Sequence, residues 1–143
     1  MRLTRKADYG LRALYYMACQ SPERFTPVEE IGRTQKIPGG FLAKVLNELV
    51  RGGLLESRRG QDGGLRLARP ASEITLLDVI RLLEGPLAIN ECVGENPCCT
   101  WAPTCPMRRV WQNLQETIET RLARVNLARL ARNDHVPGRV PSR

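Results

Sequence analysis

Apolar residues recur along this chain at two different periods, and the changes of period divide it into elements. Tyr9, Leu11, Leu14, Tyr15 and Ala18 share one face at helical spacing, predicting a first helix that Thr4 can cap and that runs to about Cys19. Ser21-Pro22 ends it. Thr26-Pro27-Val28-Glu29 combines an N-cap, a proline at the first helical position and an acid three residues on, so a short second helix is predicted to about Gln35. Only Lys36-Ile37 separate it from Pro38, which opens a third helix with Phe41, Leu42, Val45, Leu46, Leu49 and Val50 as its buried face. Two helices joined this tightly, with Gly39, Gly40, Lys44 and Asn47 left on the outer side of the second, meet the requirements of a helix-turn-helix.

The period then shortens. Gly52-Gly53 stops the third helix, Leu54 to Arg59 reads as a strand, Gly60-Gln61-Asp62-Gly63-Gly64 as a turn that tolerates positive φ, and Leu65 to Ala68-Arg69 as a returning strand. A hairpin directly after a helix-turn-helix is a wing, here with Arg58 and Arg59 at its tip. Pro70 closes it, and Thr75-Leu76-Leu77-Asp78 starts another capped helix through about Glu84, which Gly85-Pro86 ends. From Pro106 onward Val110, Trp111, Leu114, Ile118, Leu122 and Val125 predict one helix of roughly 25 residues, reaching about Arg132. A stripe that long exceeds what one small core covers, so it is expected to dimerise. The fold class expected is mainly α with a small β-hairpin. Residues 1–70 form a winged helix-turn-helix DNA-binding region, and 71–132 a cysteine loop (about 91–106) and dimerisation helix. The tail 133–143, with two prolines and little apolar content, is expected to be disordered.

Charge strengthens the nucleic-acid reading. Of the 143 residues, 1–70 carry 13 Lys or Arg against 7 Asp or Glu, a net of +6, while 71–143 carry 9 against 8, a net of +1. The half with the wing is the half that would face a polyanion. No apolar run is long enough to span a bilayer, and the N-terminus MRLTRKADYG lacks the apolar core of a signal peptide, so a cytoplasmic protein with no membrane partner is expected. An enzyme is not expected, because no convergent set of His, Glu or Lys is present to supply acid–base chemistry.

Four of the five cysteines lie in ECVGENPCCTWAPTC, residues 91–105. In a reducing compartment such a cluster suits metal binding or redox sensing better than a structural disulfide framework. Cys98 and Cys99 each follow Cys92 and precede Cys105 by five or six intervening residues, unlike the short pairs of zinc knuckles. Soft thiolates on a loop suit iron–sulfur clusters, while close thiols could instead form a sensing disulfide. Cys19 stands apart on the first helix and reads as a buried small hydrophobe.

The order MRLTRKADYGLRAL, IPGGFLAKVLNELVRGGLLESRRGQDGGLRLARPASEITLLDVI, the cysteine loop and CPMRRVW resembles the IscR, NsrR and RirA family of winged-helix iron–sulfur transcription regulators, over about residues 1–130. The resemblance implies three cysteine ligands, on Cys92, Cys99 and Cys105. Members commonly keep five residues between the second and third cysteine, which favours Cys99, whereas the Asn-Pro-Cys98 context favours Cys98 as the alternative. IscR-like proteins place a histidine three residues past the last cysteine, where this chain has Arg108; the only histidine is His135. NsrR-like nitric oxide sensors use an aspartate near the start of the first helix of the partner subunit, and Asp8 stands in the matching place. A 4Fe-4S cluster is therefore expected, with 2Fe-2S as the alternative.

The function implied is that of a homodimeric transcription regulator, acting as a repressor. Its affinity for a double-stranded DNA operator would follow a cluster that senses nitric oxide, redox state or iron status. Base reading is expected from Gly39, Gly40, Phe41 and Lys44, with phosphate or minor-groove contacts from Arg58, Arg59 and Gln61. Because IscR-like readers carry an acid and an amide where this chain has Ala43 and Lys44, their operator sequence does not transfer. A cluster-free thiol–disulfide or zinc sensor on the same fold is the alternative.

Overall fold

A computed structural model describes residues 2–132. Helix α1 (Arg5–Ala18) begins where predicted: the Thr4 hydroxyl accepts the Ala7 N–H at 3.3 Å, and Asp8 sits in the first turn where the helix dipole favours an acid. Its buried face is not the one the large residues suggest. Ala7, Gly10, Ala13, Leu14 and Met17 are buried, whereas Tyr9, Leu11, Tyr15 and Ala18 are half-buried. The small residues let neighbouring helices cross closely, and a Cβ on Gly10 would run into the Leu83 side chain.

Helix α2 (Val28–Gln35) starts without the expected Thr26 cap. Pro27 takes the N-cap position, and Thr26 is fully buried as a one-residue bridge to the hairpin. Its N–H donates to the Leu65 carbonyl at 2.7 Å and its carbonyl accepts the Leu65 N–H at 2.9 Å. Two backbone hydrogen bonds made in the interior outweigh one hydroxyl cap at the surface. The turn into α3 (Gly39–Arg51) is made by Lys36 in the left-handed region (φ 53°, ψ 48°) and by the buried Ile37, whose N–H donates to Gly32 at 2.9 Å. Helix α3 buries Leu42, Val45, Leu46 and Leu49. Phe41, expected among them, is 42% exposed and packs edge-to-face on Tyr9 at 5.5 Å; Val50 is half-buried.

Strands β1 (Leu55–Arg58) and β2 (Gly64–Leu67) pair antiparallel, with Leu55 opposite Leu67 and Arg58 opposite Gly64. Gly64 has φ +146°, and a Cβ there would collide with the Thr26 carbonyl. A 3-10 turn (Ala71–Glu73) leads to α4 (Leu76–Glu84), which carries the predicted Thr75–Asp78 capping box.

The expected 25-residue C-terminal helix is two helices, α5 (Pro106–Ala123) and α6 (Leu127–Arg132). Between them the chain turns back: the Val125 carbonyl accepts the Leu76 N–H at 2.9 Å, the Leu127 N–H donates to Ile74 at 3.0 Å, and Asn126 caps α6 through the Arg129 N–H at 2.8 Å. Leu127 is thereby fully buried in the core that α1, α3, α4 and the hairpin share. A smaller cluster, Leu77, Ile80 and Leu87, receives Ile118 and Leu122 from the C-terminal half of α5. No residue of α5 is fully buried, and Met107, Val110 and Leu114 in its N-terminal half remain exposed. Among the described residues no helix is long and apolar enough to cross a membrane. The predicted tail 133–143 lies outside the described residues.

Candidate functional site

Two surfaces carry the chemistry-bearing residues. On the first, the start of α3 exposes Gly39, Gly40, Phe41 and Lys44, and the wing exposes Arg58, Arg59 and Gln61. A Cβ on Gly39 or Gly40 would meet nothing within 4 Å, and neither residue has a positive φ. Folding therefore does not demand glycine at these positions. What the two glycines provide is bare backbone at a helix N-terminus, where free amides and the dipole favour an approaching phosphate. Between α3 and the wing runs a cleft of about 490 Å³ lined by Ala43, Asn47, Ser57, Arg58, Arg59 and Gln61. Asn47 was expected on the outer side of α3 without being named a contact, and Ser57 was not expected at all. Asn47 was legible: it lies three residues beyond Lys44 and seven beyond Gly40, on the same helical face. Ser57 enters only because the hairpin folds back over α3.

The wing is braced against the segment that precedes α2. The Arg58 guanidinium lies over the Phe25 ring at 4.1 Å and donates to the Asp62 carbonyl at 2.7 Å. Arg24 holds Glu30 in a two-pronged pair at 2.8 Å for each contact, and the Tyr16 hydroxyl donates to the same carboxylate at 2.7 Å. Hydrogen bonds from Arg24 and then Tyr16 hold the Glu30 carboxyl below the usual range despite its burial. Burial, with the Glu30 carboxylate, pushes the Tyr16 phenol up. This network ties the segment before α2 to α1.

The second surface is the loop between α4 and α5. Cys92 is buried in a 3-10 turn (Glu91–Val93), Cys98 and Cys99 are exposed, and Cys105 is half-buried as the N-cap of α5; all four are free thiols. Arg108 links the first and last. Its backbone N–H donates to the Cys105 carbonyl and its Nε to the Cys92 carbonyl, each at 3.2 Å. The position where a histidine ligand was sought is thus a clip between two cysteine-bearing turns. Cys98 Sγ donates to Glu91 at 3.7 Å, and the Ala102 N–H to the Cys99 carbonyl at 3.1 Å. Neither contact distinguishes Cys98 from Cys99 as a ligand. Asp8 is exposed and pairs with Arg12 at 3.5 Å. Among the described residues no three His, Cys, Asp or Glu side chains are gathered as a metal site. The donor set nonetheless suits iron, since four unpaired soft thiols share one loop whose two ends are clipped together. Cys19 is half-buried at the C-cap of α1, rather than buried as expected.

Two helices on a tight turn, a braced cationic wing and an open α3 N-terminus define a winged helix-turn-helix DNA-binding regulator. The chain belongs to the Rrf2 family, described as iron-dependent transcriptional regulator, whose model matches residues 3–133. Fold and family are thus those of transcription regulators. The chain is 45% identical to Protein aau3 of Rhizobium meliloti over 100 residues, covering 68% of this chain and 64% of that protein, so the chain matches less than two thirds of that relative's length. The fold is similar to CymR, the global cysteine regulator of B. subtilis, with TM-score 0.77 and 27% identity over 92% of this chain and 96% of that one. It is also similar to T. potens IscR, with TM-score 0.74 and 27% identity over 91% and 85%.

Proposed function

We propose that this chain is a homodimeric transcriptional repressor whose operator affinity is set by an iron–sulfur cluster. Cys92, Cys99 and Cys105 would hold the cluster, with Cys98 the alternative to Cys99 and Asp8 of the partner subunit as fourth ligand. A 4Fe-4S cluster is favoured and 2Fe-2S is the alternative. The observation that carries the reading is the Arg108 clip, which holds the first and last cysteines of a loop of free thiols in a chain of an iron-dependent family.

Residues 1–70 read DNA and 71–132 carry the signal. Gly39, Gly40, Phe41 and Lys44 face the bases, and Arg58, Arg59 and Gln61 meet the backbone or minor groove. The exposed apolar half of α5 pairs with its copy, placing two α3 helices on successive major grooves roughly 34 Å apart. A bound cluster would supply a labile group responsive to nitric oxide, redox state or iron status. Asp8 is exposed, and it would exchange its surface pair with Arg12 for the cluster of the other subunit, a carboxylate being an exchangeable partner for iron.

A cluster-free thiol sensor is the second reading, favoured by the exposure of adjacent Cys98 and Cys99 and by likeness to a cysteine regulator. Visible absorption with iron and sulfide analysis of protein purified without oxygen separates the two, in wild type and in Asp8→Ala, Cys98→Ala and Cys99→Ala. Brown protein that loses its colour in one of the adjacent-cysteine variants and changes in Asp8→Ala supports the cluster. Protein that stays colourless after reconstitution with iron and sulfide overturns it.

A further inference from the structure

The two arginines that touch Phe25 are held differently, and the difference gives the ring a role. Arg66 lies with its guanidinium carbon 4.5 Å from the ring centroid and is ion-paired to Glu23 at 3.2 Å and to Glu56. Arg58 lies closer, at 4.1 Å, and forms no ion pair among the described residues. Its other partner is the uncharged Asp62 carbonyl, at 2.7 Å. A carboxylate neutralises the cation it holds, whereas a ring face orients a cation and leaves its charge available. Phe25 is itself fixed, because the next residue, Thr26, is zipped to Leu65 by two backbone hydrogen bonds and abuts Gly64.

We propose that Phe25 is a positioning residue for DNA binding: its ring is the platform that holds Arg58 extended at the wing, so that an un-neutralised guanidinium meets the phosphate backbone already ordered. A free arginine side chain loses much rotamer freedom when it docks, and one already stacked loses less. Arg66, paired with two carboxylates, lies against the same ring and helps to hold it. The proposal rests on the wing facing DNA, and the sequence held no sign of it, because Phe25 precedes α2 while Arg58 and Arg66 belong to the hairpin.

The test is the affinity of the full chain for a fluorescein-labelled mixed-sequence duplex of about 30 base pairs, a length that spans two successive half-sites, measured against salt concentration. Arg58→Ala should weaken binding and lower the salt slope by about 1, the signature of one lost phosphate contact. Phe25→Leu keeps apolar bulk and removes the ring face, and should weaken binding about three- to tenfold with part of the same slope change. Phe25→Tyr should bind like wild type. Combining Phe25→Leu with Arg58→Ala should add little to Arg58→Ala alone, since both act on one contact. Circular dichroism and the thermal midpoint confirm that each variant is folded. If Phe25→Leu binds with wild-type affinity and slope while Arg58→Ala does not, the platform role is overturned and the wing reading stands. If Arg58→Ala leaves the slope unchanged, both are overturned.

Discussion

The wing and the cysteine loop are both excursions from the same core, and they are finished to different degrees. In the wing the strands pair in register, Thr26 adds a second backbone partner to β2, Gly64 seats against it, and Arg58 is held on Phe25 and Asp62. In the loop, Cys92 and Cys105 are tied through Arg108, but residues 95–101 are all exposed, and Trp101 is 75% exposed. With Met107, Val110 and Leu114 alongside in the sequence, the loop and the first half of α5 present apolar groups that the described residues do not cover. One copy of the chain is enough to build the wing. The loop and the start of α5 have the composition of a surface completed by another component.

That comparison breaks first at Gly64. Gly64→Ala forces a Cβ into the Thr26 carbonyl at a φ that favours glycine, and should destabilise the chain by about 2–4 kcal/mol in urea unfolding, with DNA binding lost as the wing detaches. Next is the uncovered face. Leu114→Glu should raise the dimer dissociation constant about 10- to 100-fold by analytical ultracentrifugation while moving monomer stability by no more than about 0.5 kcal/mol. A large stability loss with unchanged association would mean that α5 serves its own subunit.

Arg108→Ala sharpens the contrast within the loop. Hydrogen exchange should quicken in residues 91–94, whose turn loses its tether, and stay unchanged in residues 55–67 of the wing. Equal acceleration in both regions would mean that they are not independent.

The smallest effect concerns the brace beneath the wing. The Glu30 carboxyl is held below its ordinary range by Arg24 and Tyr16, so its stabilisation is fully present above the usual glutamate pKa of about 4.3 and is lost as pH falls through the lower folded value. Glu30→Gln should be less stable than wild type by under about 1 kcal/mol at neutral pH, the range of a partly exposed pair. The gap should narrow as pH falls below the ordinary glutamate range and the native carboxyl takes up its proton. A gap that persists in acid would assign the effect to packing.

Much of the fold was legible because its signals are local. Thr4 and the Thr75–Asp78 box announce helix starts, glycines at 60, 63 and 64 announce the wing turn, and Lys36-Ile37-Pro38 leaves room for nothing but the tight turn between α2 and α3. The candidate site was legible in part. The cysteines and the wing arginines are conspicuous by residue type, whereas Asn47 needed the helical face to be drawn and Phe25 could not be found at all.

What the sequence determined by itself is therefore the identity and order of the elements, since caps, turns and periodicity depend on residues a few positions apart. Only the tertiary structure decided that Thr26 joins the hairpin rather than capping α2, that the chain breaks after Ala123 so that Leu127 can be buried, and that Phe41 turns outward onto Tyr9. In the first two cases the deciding interaction is a backbone hydrogen bond to a residue some 40 to 55 positions away, made in the interior, where an unpaired amide or carbonyl costs about as much as the local signal it overrides.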